Sequence, residues 1–166
     1  EDLLDGKEPA YVEAVVRRGE SPGGWDDTSG PLFPTGSISG LVRGASEYLA
    51  YGATDVYGYT IAELHTSPDG KVWTNITEDA NFDVPMHDIV YSKNYGYVGV
   101  GEQFGEYAVT RSTDGVNWSA KWFMYGEELY GIACDPGTDL LVVVGYDWNG
   151  SQSLCLWSDD GGLTWH

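Results

Sequence analysis

The chain has 166 residues, and its 26 acidic residues against eight Lys and Arg give a formal net charge of −18 at pH 7. Such an acidic surface repels nucleic acid, and no apolar run approaches the roughly 18–20 residues of a membrane helix, so we predict neither nucleic-acid binding nor membrane insertion. Hydrophobic content of 42% and aromatic content of 14% argue against disorder and suit one domain with a sizeable core.

The N-terminal residues 1–37 are predicted to form an arm and a degenerate copy of a unit that recurs further along the chain. Residues 11–17 alternate between apolar and polar side chains well enough for a β-strand. Trp25 follows a turn rich in Gly and lies 48 residues before Trp73, close to the spacing of the later copies. Residues 30–37 contain two Pro and two Gly and are predicted to be a linker.

Three copies of a turn motif with Ser, Asp, Gly and Trp in that order divide the remaining chain, at residues 67–73, 112–118 and 158–165. Their Trp residues lie 45 and 47 residues apart. A four-stranded propeller blade needs about 40–45 residues, so the spacing predicts a repeat of this kind. The motif residues are Ser67, Asp69, Gly70, Trp73, Ser112, Asp114, Gly115, Trp118, Ser158, Asp160, Gly162 and Trp165.

The motif residues suit a β-hairpin rather than catalysis. Asp-Gly between two apolar runs is a hairpin signal, because Gly takes positive φ at no steric cost. The carboxylate is expected to accept hydrogen bonds from backbone N–H groups of its own turn, the Ser hydroxyl to do similar work, and the Trp to bury its ring between repeats. We interpret the motif as structural, since a catalytic group is usually needed once and not in every repeat.

The repeats predict an all-β protein of about three four-stranded antiparallel propeller blades, at residues 38–85, 86–128 and 129–166. The apolar runs predict strands at residues 38–43, 47–51, 59–66, 73–77, 87–92, 95–100, 107–111, 118–122, 129–134, 140–145 and 153–158.

The fourth strand of the third blade is incomplete in this sequence. Either the strand predicted at 11–17 closes that blade, or the missing strand lies elsewhere. Three to three and a half blades are fewer than the four to eight of closed propellers and would expose apolar faces and strand edges. We therefore expect further copies of the chain, or a neighbouring structural protein, to cover them; two copies would give six or seven blades.

The third motif, Ser158-x-Asp160-x-Gly162-x-Thr164-Trp165, closely resembles the Asp-box, or bacterial neuraminidase repeat. The other two copies resemble a shorter variant, Ser-x-Asp-Gly-x-x-Trp, seen in repeat regions of phage and bacterial surface proteins. The resemblance covers about residues 38–166. It implies a β-propeller in which the motif is structural and forms the hairpin between the third and fourth strands of each blade.

The loops between second and third strands and the connections between blades are expected to share one rim, opposite the motifs. They carry aromatic residues beside acids and amides, which suit sugar stacking with hydrogen bonds to hydroxyls, or a protein interface. The alternative is that these rings fold inward and close the loops. The candidate ligand-binding residues are Tyr57, Tyr59, Phe104, Tyr107, Tyr146, Trp148 and Asn149. The connections add Phe82, Asp83, Phe123, Tyr125, Glu127 and Glu128.

Asp-boxes also occur in sialidases and other glycosidases, so an enzyme has to be considered. The resemblance to those sialidases would imply an arginine triad for the substrate carboxylate, a Tyr nucleophile helped by a Glu, and an acid Asp. This sequence has four Arg, of which Arg17 and Arg18 are adjacent, and it lacks an Arg-Ile-Pro motif. We predict no catalytic residues, although a two-carboxylate glycosidase is harder to exclude.

No cofactor is predicted, because the three His show no metal-ligand spacing and two separated Cys do not make a zinc site. Two pairs of loop carboxylates, Asp79 with Asp83 and Asp135 with Asp139, are candidate Ca²⁺ ligands, although neither matches a known calcium loop. Cys134 and Cys155 are expected on the first and third strands of one blade, too far apart for a disulfide, and we predict that both thiols are buried.

The leading interpretation is a non-catalytic structural or attachment module of an extracellular particle, such as a tail-fibre or decoration protein of a phage or virus virion. It depends on the resemblance of the short repeats. The alternative is a carbohydrate-binding or glycosidase-related, sialidase-like propeller fragment. Expected partners are further copies of the chain or a neighbouring structural protein, with a glycan as a candidate ligand.

Overall fold

A computed structural model of the chain describes residues 36–78, 80, 82–122 and 126–166. Within these ranges the chain is all-β, as predicted, and forms eleven strands. The strands are β1 (Gly36–Arg43), β2 (Tyr48–Val56), β3 (Tyr59–Ser67), β4 (Thr74–Asn75), β5 (Met86–Ser92), β6 (Gly96–Gln103), β7 (Glu106–Ser112), β8 (Ser119–Trp122), β9 (Glu127–Cys134), β10 (Leu141–Asp147) and β11 (Gln152–Ser158). The predicted N-terminal arm and the strand at 11–17 lie outside the described residues.

The strands form three antiparallel sheets in chain order: sheet 1 (β1–β4), sheet 2 (β5–β8) and sheet 3 (β9–β11). Each strand pairs with the next strand along the chain, so every sheet is a simple meander. In sheet 3 the backbones of Trp157 and His166 exchange two hydrogen bonds of 3.0 Å beyond the edge of β11. In the described part of the chain no helix is long and apolar enough to cross a lipid bilayer.

The turn motif makes the same contacts in all three copies, after β3, β7 and β11. In the second copy the Ser112 hydroxyl accepts from the Gly115 N–H at 2.8 Å and donates to Asp114 at 3.0 Å. The Asp114 carboxylate accepts from two backbone N–H groups, at 2.9 and 2.7 Å, and the Trp118 indole donates to the Gly115 carbonyl at 2.9 Å. The third copy is longer by Gly161, which has a φ of 72° that other residues rarely adopt.

These hydrogen bonds keep the motif carboxylates ionised. Backbone N–H groups of Val72 and Lys71 hold the pKa of Asp69 below its usual value of 3.8. Side-chain and backbone donors of Asn117 lower the pKa of Asp114, and those of Thr164 lower the pKa of Asp160.

Among the described residues, the apolar core lies between the sheets as two clusters. The first cluster joins sheets 1 and 2 and includes Leu49 and Tyr51 from β2 and Tyr97 from β6. The second cluster joins sheets 2 and 3 and includes Val98 and Val100 from β6. Because successive side chains of a strand point to opposite faces, β6 supplies both clusters, which explains its continuous apolar sequence.

Asp88, on the first strand of sheet 2, links all three sheets. One carboxylate oxygen accepts from the Tyr51 hydroxyl of sheet 1 at 3.3 Å, and the other accepts from the Ile132 N–H of sheet 3 at 3.0 Å. The Tyr51 hydroxyl also accepts from the Ile89 N–H at 3.1 Å. Burial raises the pKa of Tyr51 to about 12. The first strands β1, β5 and β9 therefore lie side by side.

Asp139, in the loop between β9 and β10, ties sheet 3 to the β5–β6 turn of sheet 2. Its carboxylate accepts from the Ser92 hydroxyl at 2.7 Å, the Lys93 N–H at 3.0 Å and the Asn94 amide at 2.5 Å. This carboxylate, a candidate calcium ligand by sequence, therefore connects sheet 3 to sheet 2. In the described ranges no three His, Cys, Asp or Glu side chains are grouped to hold a metal ion, and Asp79 lies outside those ranges.

The two cysteines are free, and β10 separates their strands. Cys134 is half-buried and Cys155 is exposed. The prediction that both thiols are buried was therefore wrong for Cys155. This thiol lies on the face of sheet 3 that points away from sheet 2, and no described sheet packs there.

Candidate functional site

The tips of the β2–β3 and β6–β7 hairpins present aromatic rings to solvent. The two turn residues are Tyr57 and Gly58 in the first hairpin and Phe104 and Gly105 in the second. Tyr57 has a φ of 54° and Phe104 a φ of 55°, a left-handed conformation that costs a bulky residue on the order of 1 kcal/mol. Their side chains are 98% and 79% exposed. Packing does not explain why aromatic residues occupy these turns, so they are functional candidates.

A cleft of about 530 Å³ lies between these two hairpins. Tyr59 of sheet 1 and Phe104 of sheet 2, both predicted rim residues, line opposite sides. The cleft combines apolar groups, such as the Met86 side chain, with the polar groups of Glu102 and Gln103. Its further lining residues are Ser39, Ala53, Gly58, Thr60, Pro85 and His87.

His87 is held in one orientation at this cleft. Its Nδ1 lies 3.0 Å from the Leu129 carbonyl, which can only accept, so Nδ1 carries the hydrogen. The ring also contacts the Tyr107 ring edge-on, with 5.8 Å between centroids. These two contacts fix the ring, so its Nε2 points in a defined direction.

A second group of rim residues surrounds the Glu128 carboxylate, at the end of sheet 3 where the β10–β11 hairpin turns. Hydrogen bonds from the Tyr130 hydroxyl and then the Trp148 indole hold the pKa of Glu128 below its usual value. The same contact raises the pKa of Tyr130 to about 12. The Tyr146 and Trp148 rings meet edge-on with centroids 4.8 Å apart. Glu128 is thus a fixed carboxylate bordered by aromatic rings.

The β10–β11 hairpin is anchored to the connection that precedes β9. The backbone N–H of Trp148 donates to the Gly126 carbonyl at 2.6 Å. The Asn149 N–H donates to the Asp147 carboxylate at 2.9 Å. These bonds set the position of Trp148 relative to Glu128.

The predicted rim residues thus fall into two groups. Tyr59 and Phe104 line the cleft between sheets 1 and 2, with Tyr57 exposed at the adjacent hairpin tip. The second group lies beside Glu128 and comprises Tyr107, Tyr146, Trp148 and Asn149. Phe82 does fold inward, with its ring centroid 5.0 Å from that of Trp118, whereas Phe123 and Tyr125 lie outside the described residues.

Sequence reasoning missed three rim residues that occupy one equivalent position. The first strand of each sheet has a register shift, at Ser39 in β1, His87 in β5 and Tyr130 in β9. A bulge of this kind turns a side chain out of the regular alternation. The sequence does show that these three residues are equivalent, because they begin three aligned apolar segments. It does not show the bulge at this position, which only the strand register reveals.

No family model matches this chain, and no curated protein matches it.

Proposed function

We propose that this chain is a non-catalytic attachment module of propeller-type blades, carried by an extracellular particle such as a phage or virus virion, and that its aromatic rim binds saccharides. The observation that carries the proposal is the exposure of Tyr57 and Phe104 on turns with positive φ. Residues with strained backbone conformations cluster at functional sites.

The propeller-type arrangement is supported by the packing of the sheets. Three meanders follow one another in chain order, their first strands are adjacent, and one apolar cluster fills each space between neighbours. The turn motif occurs at the same place in each sheet. The virion setting is supported by the resemblance of the short motif to repeats of phage and bacterial surface proteins.

The chemistry of the rim suits a saccharide. Aromatic faces stack on the apolar face of a sugar ring, and fixed acceptors take hydrogen bonds from its hydroxyls. The cleft offers Phe104 and Tyr59 for stacking, and Glu102 and Gln103 for hydrogen bonding. The acidic surface favours a neutral or cationic saccharide over an acidic one.

One argument for a non-catalytic role comes from Glu128, one of the rim carboxylates. A glycosidase needs a general acid whose pKa is raised. Hydrogen bonds instead lower the pKa of Glu128. Of the described arginines, Arg43 lies 4.4 Å from the Tyr48 ring at the β1–β2 turn, and Arg111 adjoins a turn motif. Both lie at the strand ends opposite the rim, so neither serves a carboxylate site there.

The test is a glycan array probed with the full chain, followed by calorimetric titration of the saccharides retained. We expect Phe104→Ala and Trp148→Ala each to weaken binding by about tenfold, as removal of one stacking ring does. The matched control is Val72→Ala, which removes an exposed apolar side chain at the opposite end of sheet 1. Binding unaffected by both variants, or no binding to any saccharide, would refute the saccharide-binding role.

A further inference from the structure

The three sheets pack by one repeated arrangement. We call the face of a sheet that points toward the preceding sheet its leading face, and the opposite face its trailing face. In sheet 1 the leading face is the one that points away from sheet 2. The trailing face of sheet 1, with Leu49 and Tyr51, packs on the leading face of sheet 2, with Tyr97. In the same way, the trailing face of sheet 2, with Val98, packs on the leading face of sheet 3, with Leu141.

The strand register identifies equivalent residues on these faces. Ile38 pairs with Gly52 in sheet 1, as Met86 pairs with Gly101 in sheet 2 and Leu129 with Gly145 in sheet 3. Met86 is 2% exposed and Leu129 is fully buried, whereas Ile38 is 53% exposed. Ile38 therefore has a large apolar side chain at a position that a trailing face covers in the other two sheets.

Leu41 repeats this observation on the same leading face. It pairs with Ala50, as Ile89 pairs with Gly99 and Ile132 with Val143. Ile89 and Ile132 are buried in the two clusters, and Leu41 is exposed. The leading face of sheet 1 thus presents two exposed side chains of the type that fill the core elsewhere.

The trailing face of sheet 3 is open in the complementary way. Val144 is 49% exposed, whereas its equivalents Tyr51 and Val100 are 3% and 0% exposed. Cys155 pairs with Val144, as Val109 pairs with Val100. Cys155 is exposed and Val109 is buried. Trp157, on the same face, is also exposed.

We propose that two copies of this chain close on each other, with the trailing face of sheet 3 in each copy packed on the leading face of sheet 1 in the other. Each contact continues an interface that the chain already makes twice within itself. A trailing face fits a leading face. In the described part of the chain, sheet 1 has exposed apolar side chains on its leading face and sheet 3 has them on its trailing face. The contact is therefore between different surfaces, and it occurs twice in the dimer.

The number of copies rests on the propeller-type arrangement in the proposed function. Closed propellers have four to eight blades. The three sheets of the described residues are too few to close, and three copies would bring nine of them. Two copies bring six, which lies within the range.

The test measures molar mass by light scattering across a dilution series of the full chain. We expect twice 18.1 kDa, falling to 18.1 kDa on sufficient dilution. Leu41→Asp and Val144→Asp each place a charge on one open face and should each give monomers. Val72→Asp is the matched control, since Val72 lies in a turn away from both faces, and it should remain dimeric. Circular dichroism establishes that the variants are folded.

Mixing the two variants distinguishes this arrangement from one in which like faces of the two copies pack on each other. A mixed pair of Leu41→Asp and Val144→Asp chains keeps one intact contact, formed by the unchanged trailing face of the first and the unchanged leading face of the second. We expect mixing to restore a mass of twice 18.1 kDa at high concentration. A wild-type monomer at every concentration, or monomers that persist in the mixture, would overturn the proposal.

Thiol labelling gives a second measurement that does not need the charged variants. In a Cys134→Ser background, the Cys155 thiol should react at least about tenfold more slowly in the dimer than in the diluted monomer, because the second copy covers it. Equal rates would contradict the interface. A monomer that binds saccharide would refute only the interface, and a dimer that binds none would refute only the proposed function.

Discussion

At the scale of single residues, hydrogen bonds between neighbours in sequence stabilise the conformation of the turn motif. The buried Ser112 hydroxyl donates to Asp114 and accepts from the buried Gly115 N–H. The carboxylate in turn orders the next two backbone N–H groups. A seven-residue segment therefore satisfies most of its own polar groups, which is why it can recur in three sheets with different surroundings.

We expect Ser112→Ala to destabilise the fold by about 2 kcal/mol, because it leaves a buried backbone N–H without an acceptor. The measurement is the free energy of unfolding in urea. Ser46→Ala, at an exposed turn position, is the control and should change that energy by less than about 0.5 kcal/mol. A loss of similar size in both variants would contradict the role assigned to the Ser112 hydroxyl.

The motif carboxylates also make stability depend on pH. The pKa of Asp114 is lower in the folded than in the unfolded chain, where it is near 3.8. Its stabilising contribution is therefore complete above pH 3.8 and is lost as the pH falls toward the folded-state pKa. We expect the stability difference between wild type and Asp114→Asn, measured by urea unfolding, to shrink between pH 6 and pH 3. A difference that grows on acidification would show the opposite shift.

At the scale of strands and sheets, equivalent positions differ in how far they are buried. Val100 and Val144 are equivalent by register, but Val100 is buried in the second cluster and Val144 lies on the open trailing face. The sequence of a strand therefore does not determine which of its two faces is buried, because burial depends on the neighbouring sheet.

We expect Val100→Ala to lower the free energy of unfolding by about 2 kcal/mol, through lost apolar burial and the cavity left behind. Val144→Ala, measured at a dilution where the chain is monomeric, should change it by less than about 0.5 kcal/mol. Chemical denaturation of the two variants side by side decides the matter. Equal losses would mean that the trailing face of sheet 3 is already covered in the monomer.

The interpretation of strands and turns from sequence succeeded for identifiable reasons. Apolar runs at 97–100 and 141–144 became the second strands of their sheets, because β-branched and aromatic residues between Gly-containing turns favour extended backbone. The rim was harder. Phe82 and Phe104 both lie in connections, and the sequence made both candidates for exposure, yet Phe82 packs on Trp118 while Phe104 remains in solvent.

At the scale of the whole molecule, charge and apolar surface act against each other. Each chain carries a formal charge of −18, so two copies repel over their whole surfaces. In the dimer that we propose, burial of the exposed apolar side chains of sheets 1 and 3 would favour association. The balance between these effects is adjustable by salt, because the screening length falls from about 10 Å at 0.1 M to about 3 Å at 1 M.

We therefore expect the proposed dimer to be tighter in 1 M than in 0.1 M NaCl, with a dissociation constant lower by several-fold or more. Sedimentation equilibrium at the two salt concentrations measures it, and a repeat in KCl excludes a sodium-specific effect. Weaker association at 1 M would mean that ion pairs, rather than apolar faces, hold the copies together.

Local chemistry in the sequence determined the strands, the hairpins and the repeated turn, because a turn such as 112–118 makes its hydrogen bonds among residues no more than a few positions apart. Only the tertiary structure decided which faces are buried, that Cys155 is exposed, and that His87 and Glu128 are held at the rim. The reason is distance along the chain. His87 is oriented by Leu129, and burial in each cluster depends on a sheet formed about 45 residues away.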